Sequence, residues 1–530
     1  MILIKNDQSN IVQKYLQTTT SNQDSSKIGE WKIIMPRFKY NPVHIALLYT
    51  GKVLTFGGSG NDPDKITHWN KPEIFEPDYT GQTEGKVYEI PDTNIDGDIF
   101  CAGHAFLPDG RLFIAGGTYK YDGLGGLLPP FSGLEHTYIF DPSNLSWTRI
   151  QNMKNARWYP TCVMLPDGRV STFAGLTKQF PWLILREHEI YSKTSGWEKL
   201  EGAAKWFPLY PRIHLLPNGE LFYAGSYNTH MTFPFSLWVF RIATFSFSEK
   251  KWKDLPSPKD LHRQEGTTVL LPLLPEQNYE AKIILIGGGD TLGHNATETV
   301  EMIDFSDANP QYQSVASMKN KRYYVYPVIL PDQNILVVGG TNGYGMVMSG
   351  MCDEERPGEL MAPADAILEA ELFVTKTKEW KPMAKMQVAR LYHSNAILLP
   401  DGRVIATGSN PSRKCEEKRI EIFSPPYLFQ GDRPTILNPP KTVDYGSIFE
   451  INTSDVDKIK SVAFIRASTT THCLNPEQRY VGLEFEKKNF DTLSVKVPTN
   501  RNVLPPGYYM LFIVDKKDVP CIAPFVRVNL

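Results

Sequence analysis

The sequence lacks any long hydrophobic run. No stretch of about 18 apolar residues occurs, which argues against a transmembrane helix. The first apolar run, residues 1–4, is too short for the core of a signal peptide and is followed at once by polar residues. As written, the chain carries no secretion signal, and we expect a cytoplasmic protein without a membrane span.

The sequence also contains few cysteines and has a small net charge. The formal net charge of −2 gives no indication of nucleic-acid binding, so we expect no nucleic-acid partner. Six cysteines, at positions 101, 162, 352, 415, 473 and 521, are too few for a disulfide scaffold of 530 residues. Each is expected to be a buried or free thiol. The pairings 473–521 and 352–415 stay open, and a 473–521 bridge would brace the loop that contains Cys473.

One phrase recurs about seven times: an apolar strand, a tight turn, a second apolar strand and then small residues. Its copies are IALLYTGKVLTFGGS (45–59), HAFLPDGRLFIAGGT (104–118), CVMLPDGRVSTFAGL (162–176), IHLLPNGELFYAGS (213–226), VILPDQNILVVGGT (328–341), AILLPDGRVIATGS (396–409) and a copy with a longer turn at 267–289. Proline presets φ and glycine accepts positive φ in the turn, while the flanks are β-branched and aromatic. Each copy therefore predicts a β-hairpin.

Two further strands follow most hairpins, and the fourth often carries tryptophan, as in SWTRI (146–150), GWEKL (196–200), KWKDL (251–255) and EWKPM (379–383). Four strands per repeat predict an all-β, seven-bladed kelch-type β-propeller. The last repeat lacks a tryptophan strand, whereas an orphan one, EWKIIM (30–35), precedes the first repeat. We predict that residues 30–35 close the ring in the last blade, which removes an open edge.

The repeat stops near residue 430. Residues 431–530 contain short alternating strands such as SVAFIRAS (461–468) and YYMLFIVD (508–515), a pattern typical of an immunoglobulin-like sandwich. The predicted organisation is a polar tail (1–29), a propeller (30–430) and a C-terminal immunoglobulin-like domain (431–530).

The leucine before each hairpin turn serves as a reference point within the repeat. Cys101, Tyr159 and His393 each lie six residues before it, and Tyr392 lies seven before it. Equal offsets predict equal height on the innermost strands, so these side chains should surround one mouth of the hub. Tyr210 and Tyr324 share the offset, so aromatic filling of the funnel is the alternative explanation for the tyrosines. It explains the cysteine and the histidine less well.

Four stretches around these positions resemble the signatures of a known family. FCAGH (100–104), ARWYP (156–160), ARLYH (389–393) and THCLNPEQR (471–479) are similar to signature stretches of the galactose oxidase and glyoxal oxidase family of copper radical oxidases. PPGYYMLFIVD (505–515) resembles the C-terminal domain of that family. The resemblance covers about residues 30–530 and is nearer to glyoxal oxidase.

The resemblance implies a copper site and an activity. Tyr159 would be the equatorial ligand, joined through a thioether to Cys101 and carrying the protein radical. Tyr392 would be the axial ligand and general base, and His393 and His472 would supply two nitrogens, a set that suits Cu(II). One copper per chain would oxidise a hydrated aldehyde or a primary alcohol and reduce O₂ to H₂O₂. The expected partners are that small-molecule substrate and O₂, and the expected state is a monomer.

The family also places an aromatic side chain over the cross-linked tyrosine. Trp182 is the first candidate for this position, and Trp158 and Trp206 are alternatives. For each tryptophan taken singly, packing in the core or a loop is the simpler interpretation.

Two other interpretations concern the remaining histidines and the activity itself. His44, His104 and His214 lie on or beside inner strands and are expected to be packed, hydrogen-bonded residues rather than ligands. Members of the family are generally secreted, so the resemblance implies a secreted protein, whereas the sequence as written shows no leader. A non-enzymatic kelch scaffold with a vestigial or unloaded copper site is therefore the alternative function. The complete set of five site residues argues against it, because a scaffold needs none of them.

Overall fold

The computed structural model describes residues 24–65, 71–91, 93–121, 131–178, 184–226, 241–261, 263–290, 295–343, 359, 363–411 and 415–530. Over these residues the fold is all-β, with a seven-bladed propeller followed by a β-sandwich, which confirms the predicted fold class. The short helices are α1 (Ser25–Ile28) and 3₁₀ turns at Pro63–Lys65, Pro275–Gln277, Pro426–Phe429 and Val456–Lys458. None of the helices in these ranges has the length and apolar character needed to span a membrane.

Each blade is an antiparallel sheet, and its successive strands are ordered from the hub to the outer edge. The first strand of the described residues is β1 (Glu30–Arg37). Blade 1 contains β2 (His44–Leu47), β3 (Val53–Phe56), β4 (Glu73–Glu76) and β5 (Lys86–Glu89). Blade 2 contains β6 (Gly103–Phe106), β7 (Leu112–Ala115), β10 (Thr137–Asp141) and β11 (Ser146–Arg149), with the hairpin β8 (Thr118–Tyr121) and β9 (Phe131–Gly133) between its second and third strands.

The remaining blades follow the same order. Blade 3 contains β12 (Thr161–Met164), β13 (Val170–Phe173), β14 (Glu189–Ser192) and β15 (Gly196–Lys199), and blade 4 contains β16 (Ile213–Leu215), β17 (Leu221–Tyr223), β18 (Ala243–Ser246) and β19 (Lys251–Asp254). Blade 5 contains β20 (Thr267–Leu270), β21 (Lys282–Ile286), β22 (Val300–Asp304) and β23 (Gln313–Val315). Blade 6 contains β24 (Tyr326–Ile329), β25 (Ile335–Val338), β26 (Glu369–Val374) and β27 (Glu379–Lys385), and blade 7 contains β28 (Ser394–Leu398), β29 (Val404–Gly408) and β30 (Arg419–Ser424).

The fourth strand of blade 7 comes from the N-terminal end of the propeller. Strand β1 pairs antiparallel with β30, with Trp31 opposite Phe423 and Ile33 opposite Glu421. The seventh sheet is therefore ordered β1-β30-β29-β28. Residues 30–35, the tryptophan strand that precedes the first repeat, thus lie at the outer edge of the last blade.

Outer-strand tryptophans connect neighbouring blades. In blades 3, 4 and 6 the indole N–H donates to backbone carbonyls of the preceding blade or its linker, through Trp197 to Gln151, Trp252 to Ala203 and Trp380 to Ala316. Trp31 makes the equivalent contact in blade 7, donating to the carbonyl of Ala384 on β27 at 3.0 Å. The N-terminal strand therefore completes both the sheet and the contact between blades.

Replacing Trp31 by alanine is expected to destabilise the propeller by about 3–5 kcal/mol, the usual cost of removing a buried tryptophan. The side chain is only 6% exposed and its indole is hydrogen-bonded. Thermal unfolding followed by circular dichroism measures the effect. Met35→Ala on the same strand is the control, because Met35 is 87% exposed and should change stability little. Equal midpoints for Trp31→Ala and the native chain would contradict the closing role of β1.

The C-terminal sandwich contains β31 (Thr442–Val443), β32 (Ile448–Asn452), β33 (Ile459–Arg466), β35 (Tyr480–Lys487), β36 (Thr492–Lys496), β37 (Gly507–Asp515) and β38 (Phe525–Val528). Their order is β31-β38-β37-β33-β35-β36-β32. Strand β34 (Thr469–Thr470) leaves this domain and pairs with β2 of blade 1. The chain between β33 and β35 therefore enters the hub of the propeller.

Candidate metal centre

Six residues at one register of the repeat share an unusual backbone conformation. Each lies six residues before the leucine of its hairpin turn and has a positive φ although none is glycine: Cys101 (62°), Tyr159 (62°), Tyr210 (47°), Glu265 (55°), Tyr324 (59°) and His393 (61°). All six are at most 1% exposed. A left-handed residue other than glycine costs roughly 1–2 kcal/mol, so the surrounding fold must hold this ring in place.

Buried ion pairs anchor the segments that carry two of the ring positions. The guanidinium of Arg157, two residues before Tyr159, donates to Glu189 on β14 at 2.9 Å, and both side chains are at most 2% exposed. Arg390, two residues before Tyr392, pairs in the same way with Glu421 on β30 at 3.2 Å. The arginines of ARWYP and ARLYH therefore fix the backbone beside the site, because a buried pair that loses one partner leaves an uncompensated charge.

The sandwich contributes His472 through the loop that enters the hub. Its backbone carbonyl accepts a hydrogen bond from Arg212 at 2.9 Å, and the carbonyl of Cys473 accepts one from Thr267 at 2.8 Å. Both bonds are made by propeller residues, in blades 4 and 5. The position of this loop therefore does not depend on the imidazole itself.

The rest of THCLNPEQR docks the sandwich onto the propeller. The carboxylate of Glu477 accepts from the amide of Phe106 in blade 2 at 2.9 Å. The side-chain carbonyl of Gln478 accepts from the amide of Ile329 in blade 6 at 2.7 Å. Arg479 donates to a carbonyl of blade 4 at 2.6 Å. This signature stretch thus consists of one site histidine and several docking residues.

Two phenols, two imidazoles and one thiol converge at the hub. The hydroxyls of Tyr159 and Tyr392 are in direct contact, and Tyr159 Oη lies 2.9 Å from His472 Nε2. The Cys101 sulfur lies 3.8 Å from that nitrogen, and the rings of His393 and His472 have centroids 4.5 Å apart. Cys101, His393 and His472 each offer a ligand atom within 4.8 Å of the others. The structure therefore brings together all five residues predicted to form the centre.

The hydrogen bonds of His472 fix which nitrogen faces the tyrosines. The hydroxyl of Thr471 donates to the carbonyl of Val43 at 2.9 Å, and the same oxygen lies 2.5 Å from His472 Nδ1. Because its single hydrogen is engaged, the hydroxyl accepts from Nδ1–H, which leaves a lone pair on Nε2. A partner that orients the imidazole in this way is typical of metal-ligating histidines.

The acidic groups of the centre are held neutral by burial. Burial raises the pKa of Tyr159 well above its ordinary value, and the neighbouring Cys101 and Tyr392 raise it further. Burial likewise raises the pKa of the Cys101 thiol. A cation in this position would offset the cost of ionising a phenol, since bound metals lower the pKa of groups that they coordinate.

The spacing of the donors fits a single transition-metal ion. Two ligands about 2.0–2.2 Å from one ion and at right angles to each other are about 3 Å apart, close to the 2.9 Å between Tyr159 Oη and His472 Nε2. Two imidazole nitrogens and two phenol oxygens are also the mixed nitrogen and oxygen set that Cu(II) favours. The residues present therefore fit such an ion.

An aromatic column covers the ring of Tyr159. Trp158 stacks on it with centroids 3.8 Å apart and planes at 13°, and Phe131 stacks on Trp158 at 4.4 Å. Tyr210 also stacks against Tyr159, with ring centroids 4.4 Å apart and planes at 27°. The first candidate for this role, Trp182, lies outside the described residues, and Trp206 is partly buried. Among the described residues, Trp158, an alternative in the sequence, is the tryptophan that stacks on Tyr159.

Glu265 is a hub residue that sequence reasoning missed. It occupies the ring register of blade 5, where the hairpin turn is longer and the repeat less regular. Counting six residues back from Leu271 would have found it. This buried carboxyl belongs to the same ring as Cys101, Tyr159 and His393.

The possible Cys473–Cys521 bridge does not form, because both cysteines are free, buried thiols. Cys473 faces Tyr326 of blade 6, whereas the sulfur of Cys521 accepts from the amide of Ile513 at 3.3 Å within the sandwich. The two thiols therefore belong to the interiors of different domains. Cys415 is disulfide-bonded, and Cys352 lies outside the described residues.

Comparisons with known proteins agree with this architecture. Residues 85–427 match the glyoxal oxidase N-terminus family, and residues 433–528 match the galactose oxidase-like early set domain. The first match covers well over half of the chain. The chain therefore belongs to the glyoxal oxidase and galactose oxidase family, as the four signature stretches indicated.

Individual relatives have low sequence identity to this chain, but the matches extend over most of its length. A WSC domain-containing protein of Arthroderma benhamiae is 27% identical over 88% of this chain and 50% of its own length, so this chain spans about half of that relative. The aldehyde oxidase GLOX of Vitis pseudoreticulata is 26% identical over 94% and 97% of the two chains. A galactose oxidase of Gibberella zeae is 25% identical over 82% of this chain and 61% of its own.

A solved structure shares the fold. A fungal alcohol oxidase of the AA5 family, in complex with copper, superimposes with a TM-score of 0.77 at 24% identity and covers 95% of this chain and 100% of its own. This likeness extends over both the propeller and the sandwich.

Proposed function

We propose that this protein is a copper radical oxidase of the glyoxal oxidase type, which oxidises a hydrated aldehyde or a primary alcohol and reduces O₂ to H₂O₂. The observation that carries the proposal is the buried convergence of two phenols, two imidazoles and a thiol from separate parts of the chain. The copper in the structure of the related alcohol oxidase supports the choice of metal.

Tyr159, Tyr392, His393 and His472 would hold the copper ion. When bound, copper together with an oxidised Tyr159 would supply a two-electron acceptor that O₂ can regenerate. The overall reaction balances: a CH–OH group loses two electrons and two protons, and O₂ takes up both to give H₂O₂. A hydrated aldehyde would thus become a carboxylic acid, and a primary alcohol an aldehyde.

The protein residues would divide the remaining tasks. Tyr392 is 6% exposed, more than the other four residues of the centre, so its hydroxyl oxygen is the best placed to take the proton of an entering substrate. The lone pair of His472 is directed at the centre by Thr471. Trp158 covers one face of the Tyr159 ring and keeps water away from it.

Cys101 would be joined to the ring of Tyr159 through a thioether. A bond would form between the sulfur and the ring carbon beside the hydroxyl, and the S–H and C–H bonds would break. The two electrons and two protons released would pass to O₂, giving H₂O₂. Cys101 Sγ and Tyr159 Oη lie 3.8 Å and 2.9 Å from the same atom, His472 Nε2, so the two groups are neighbours before any reaction.

The compartment is part of the proposal. The disulfide at Cys415 favours an oxidising environment, because cytosolic thiols are normally kept reduced. We therefore propose an extracytoplasmic location, where copper and O₂ are also available.

Purified protein treated with copper in air is expected to bind one copper per chain, lose the mass of two hydrogens and release H₂O₂ with aldehydes or primary alcohols. Elemental analysis, intact mass and a peroxidase-coupled assay measure these quantities, with the metal-free protein as control. A chain that binds no copper would support the scaffold alternative. A copper-loaded, cross-linked chain that releases no peroxide with any aldehyde or alcohol would contradict the oxidase.

A further inference from the structure

We propose that His44 and His104 form a directed hydrogen-bond relay that positions Cys101 for attachment to Tyr159. The relay begins at the Cys101 amide, which donates to His44 Nε2 at 3.2 Å. It ends at Thr469 of the inserted loop, whose hydroxyl donates to the carbonyl of Ile45 at 3.0 Å. The inference rests on the proposed function, because it concerns the formation of the thioether.

The direction of every hydrogen in the relay follows from its two ends. An amide can only donate, so His44 Nε2 accepts and its hydrogen is on Nδ1, which lies 3.1 Å from His104 Nε2. His104 therefore carries its hydrogen on Nδ1 and donates to the Thr469 hydroxyl at 2.8 Å. The hydroxyl must pass its own hydrogen to a carbonyl, as it does to Ile45. Both ends thus require the same pair of tautomers.

Both imidazoles are neutral in this arrangement. His44 is 0% and His104 4% exposed, and burial lowers the pKa of His104 to about 3 and that of His44 well below its ordinary value. A protonated His44 would also turn an N–H toward the Cys101 amide, so that two donors would face each other. Only neutral imidazole offers a fixed acceptor on one nitrogen and a fixed donor on the other.

Cys101 needs such an anchor because its own backbone is strained. Its φ of 62° is unfavourable for any residue other than glycine. The amide is held by His44, and the carbonyl accepts from the Tyr159 amide at 3.1 Å. The thiol is thereby kept beside Tyr159, where the sulfur can replace a ring hydrogen as two electrons and two protons leave for O₂. Although the His44 ring lies beside that of His472, with centroids 6.1 Å apart, both histidines act through the Cys101 amide and are positioning residues.

The relay also makes the position of Cys101 depend on the sandwich. Thr469 lies on β34, which pairs with β2 of blade 1 through Ala46. If the inserted loop were absent, His104 Nδ1–H would lose its acceptor. The relay that ends at the Cys101 amide is therefore complete only where the loop that also carries His472 has docked.

Substitutions that differ only in hydrogen bonding test the relay. His44→Leu fills the site without an acceptor, whereas His44→Gln offers a carboxamide oxygen for the Cys101 amide. His214→Leu is the matched control. His214 lies in blade 4, is also buried, and hydrogen-bonds to Thr268 at 2.8 Å. A residue that only packs would tolerate leucine at least as well as glutamine.

The first measurement is hydrogen exchange at the Cys101 amide in metal-free protein. We expect exchange at least ~5-fold faster in His44→Leu, as for a buried donor that loses its partner, and close to native rates in His44→Gln and His214→Leu. The second measurement is the rate of thioether formation after copper and air are added. We expect thioether formation to be slowest in His44→Leu and close to the native rate in His44→Gln and His214→Leu.

His104→Leu extends the test one residue away from the cysteine. It removes the acceptor of His44 Nδ1–H, so this buried N–H can regain a partner only if the imidazole rotates, which releases the Cys101 amide. Faster exchange at Cys101 in this variant supports the relay, even if His44→Leu fails to fold. Native exchange in His44→Leu and His104→Leu, or an equal increase in His214→Leu, would overturn it. If the native chain forms no thioether, the proposed function fails, whereas the exchange experiment still decides the relay.

Discussion

Replacing His472 by alanine is expected to weaken copper binding by at least ~100-fold, because even residues that merely orient a ligand contribute about 10–100-fold to metal affinity. The loop should stay docked, since its backbone carbonyl is held by Arg212 independently of the imidazole. Copper titration followed by the visible absorption of the bound ion measures the affinity. Circular dichroism checks that the fold is retained.

His214→Ala is the matched control for this experiment. It removes an equally buried histidine that hydrogen-bonds to Thr268 and takes no part in the centre. Copper affinity should be unchanged in the control. Native copper affinity and stoichiometry in His472→Ala would remove the sandwich histidine from the ligand set and with it the proposed site.

Replacing Cys101 by serine is expected to leave copper binding nearly intact and to lower turnover by ~100-fold or more, because the cofactor carries the difficult step of the reaction. The thiol is absent from the proposed ligand set, and serine is similar in size. After copper treatment the variant should not lose the mass of two hydrogens, because it cannot form the thioether. Peroxide release and intact mass, measured on the same sample, link the two effects.

Cys162→Ser is the control for Cys101→Ser. Cys162 is also a buried, free thiol on an inner strand, and its sulfur contacts Thr172 at 3.5 Å rather than a residue of the centre. It should retain both the mass change and the turnover of the native chain. A Cys101→Ser variant that turns over at the native rate would exclude a thioether-linked radical.

Much of the fold could be predicted from the sequence because the repeat fixes local geometry. Each Leu-Pro-Asp-Gly turn determines a hairpin, and equal offsets along equivalent hairpins must lie at equal height. This is why Cys101, Tyr159 and His393 could be placed together from their spacing alone. The missing tryptophan strand of blade 7 likewise pointed to Trp31, whose indole makes the contact to the preceding blade that other outer strands make.

Other features depend on contacts between segments that are remote in sequence. The stacking of Trp158 on Tyr159 joins adjacent residues, yet adjacency alone does not predict a stack. Here it accompanies a left-handed backbone at Tyr159, which the sequence did not reveal. Spacing also gave no sign that Cys473 faces the propeller while Cys521 faces the sandwich core. His44 and His104 were expected to be packed and hydrogen-bonded, which they are. The partners of their hydrogen bonds could not be predicted from the sequence, because they join segments that are remote along the chain.

The closure of blade 7 has a consequence for biosynthesis. Strand β30 begins 382 residues after β1 ends (419 − 37). At translation rates of about 5–20 residues per second, β1 waits roughly 20–80 s on the ribosome before its partner exists. During that time the apolar side chains of Trp31 and Ile34 have no sheet to join. The ring of blades therefore cannot close progressively as it is made, and a nascent chain that stalls before residue 419 exposes a strand edge open to pairing with other chains.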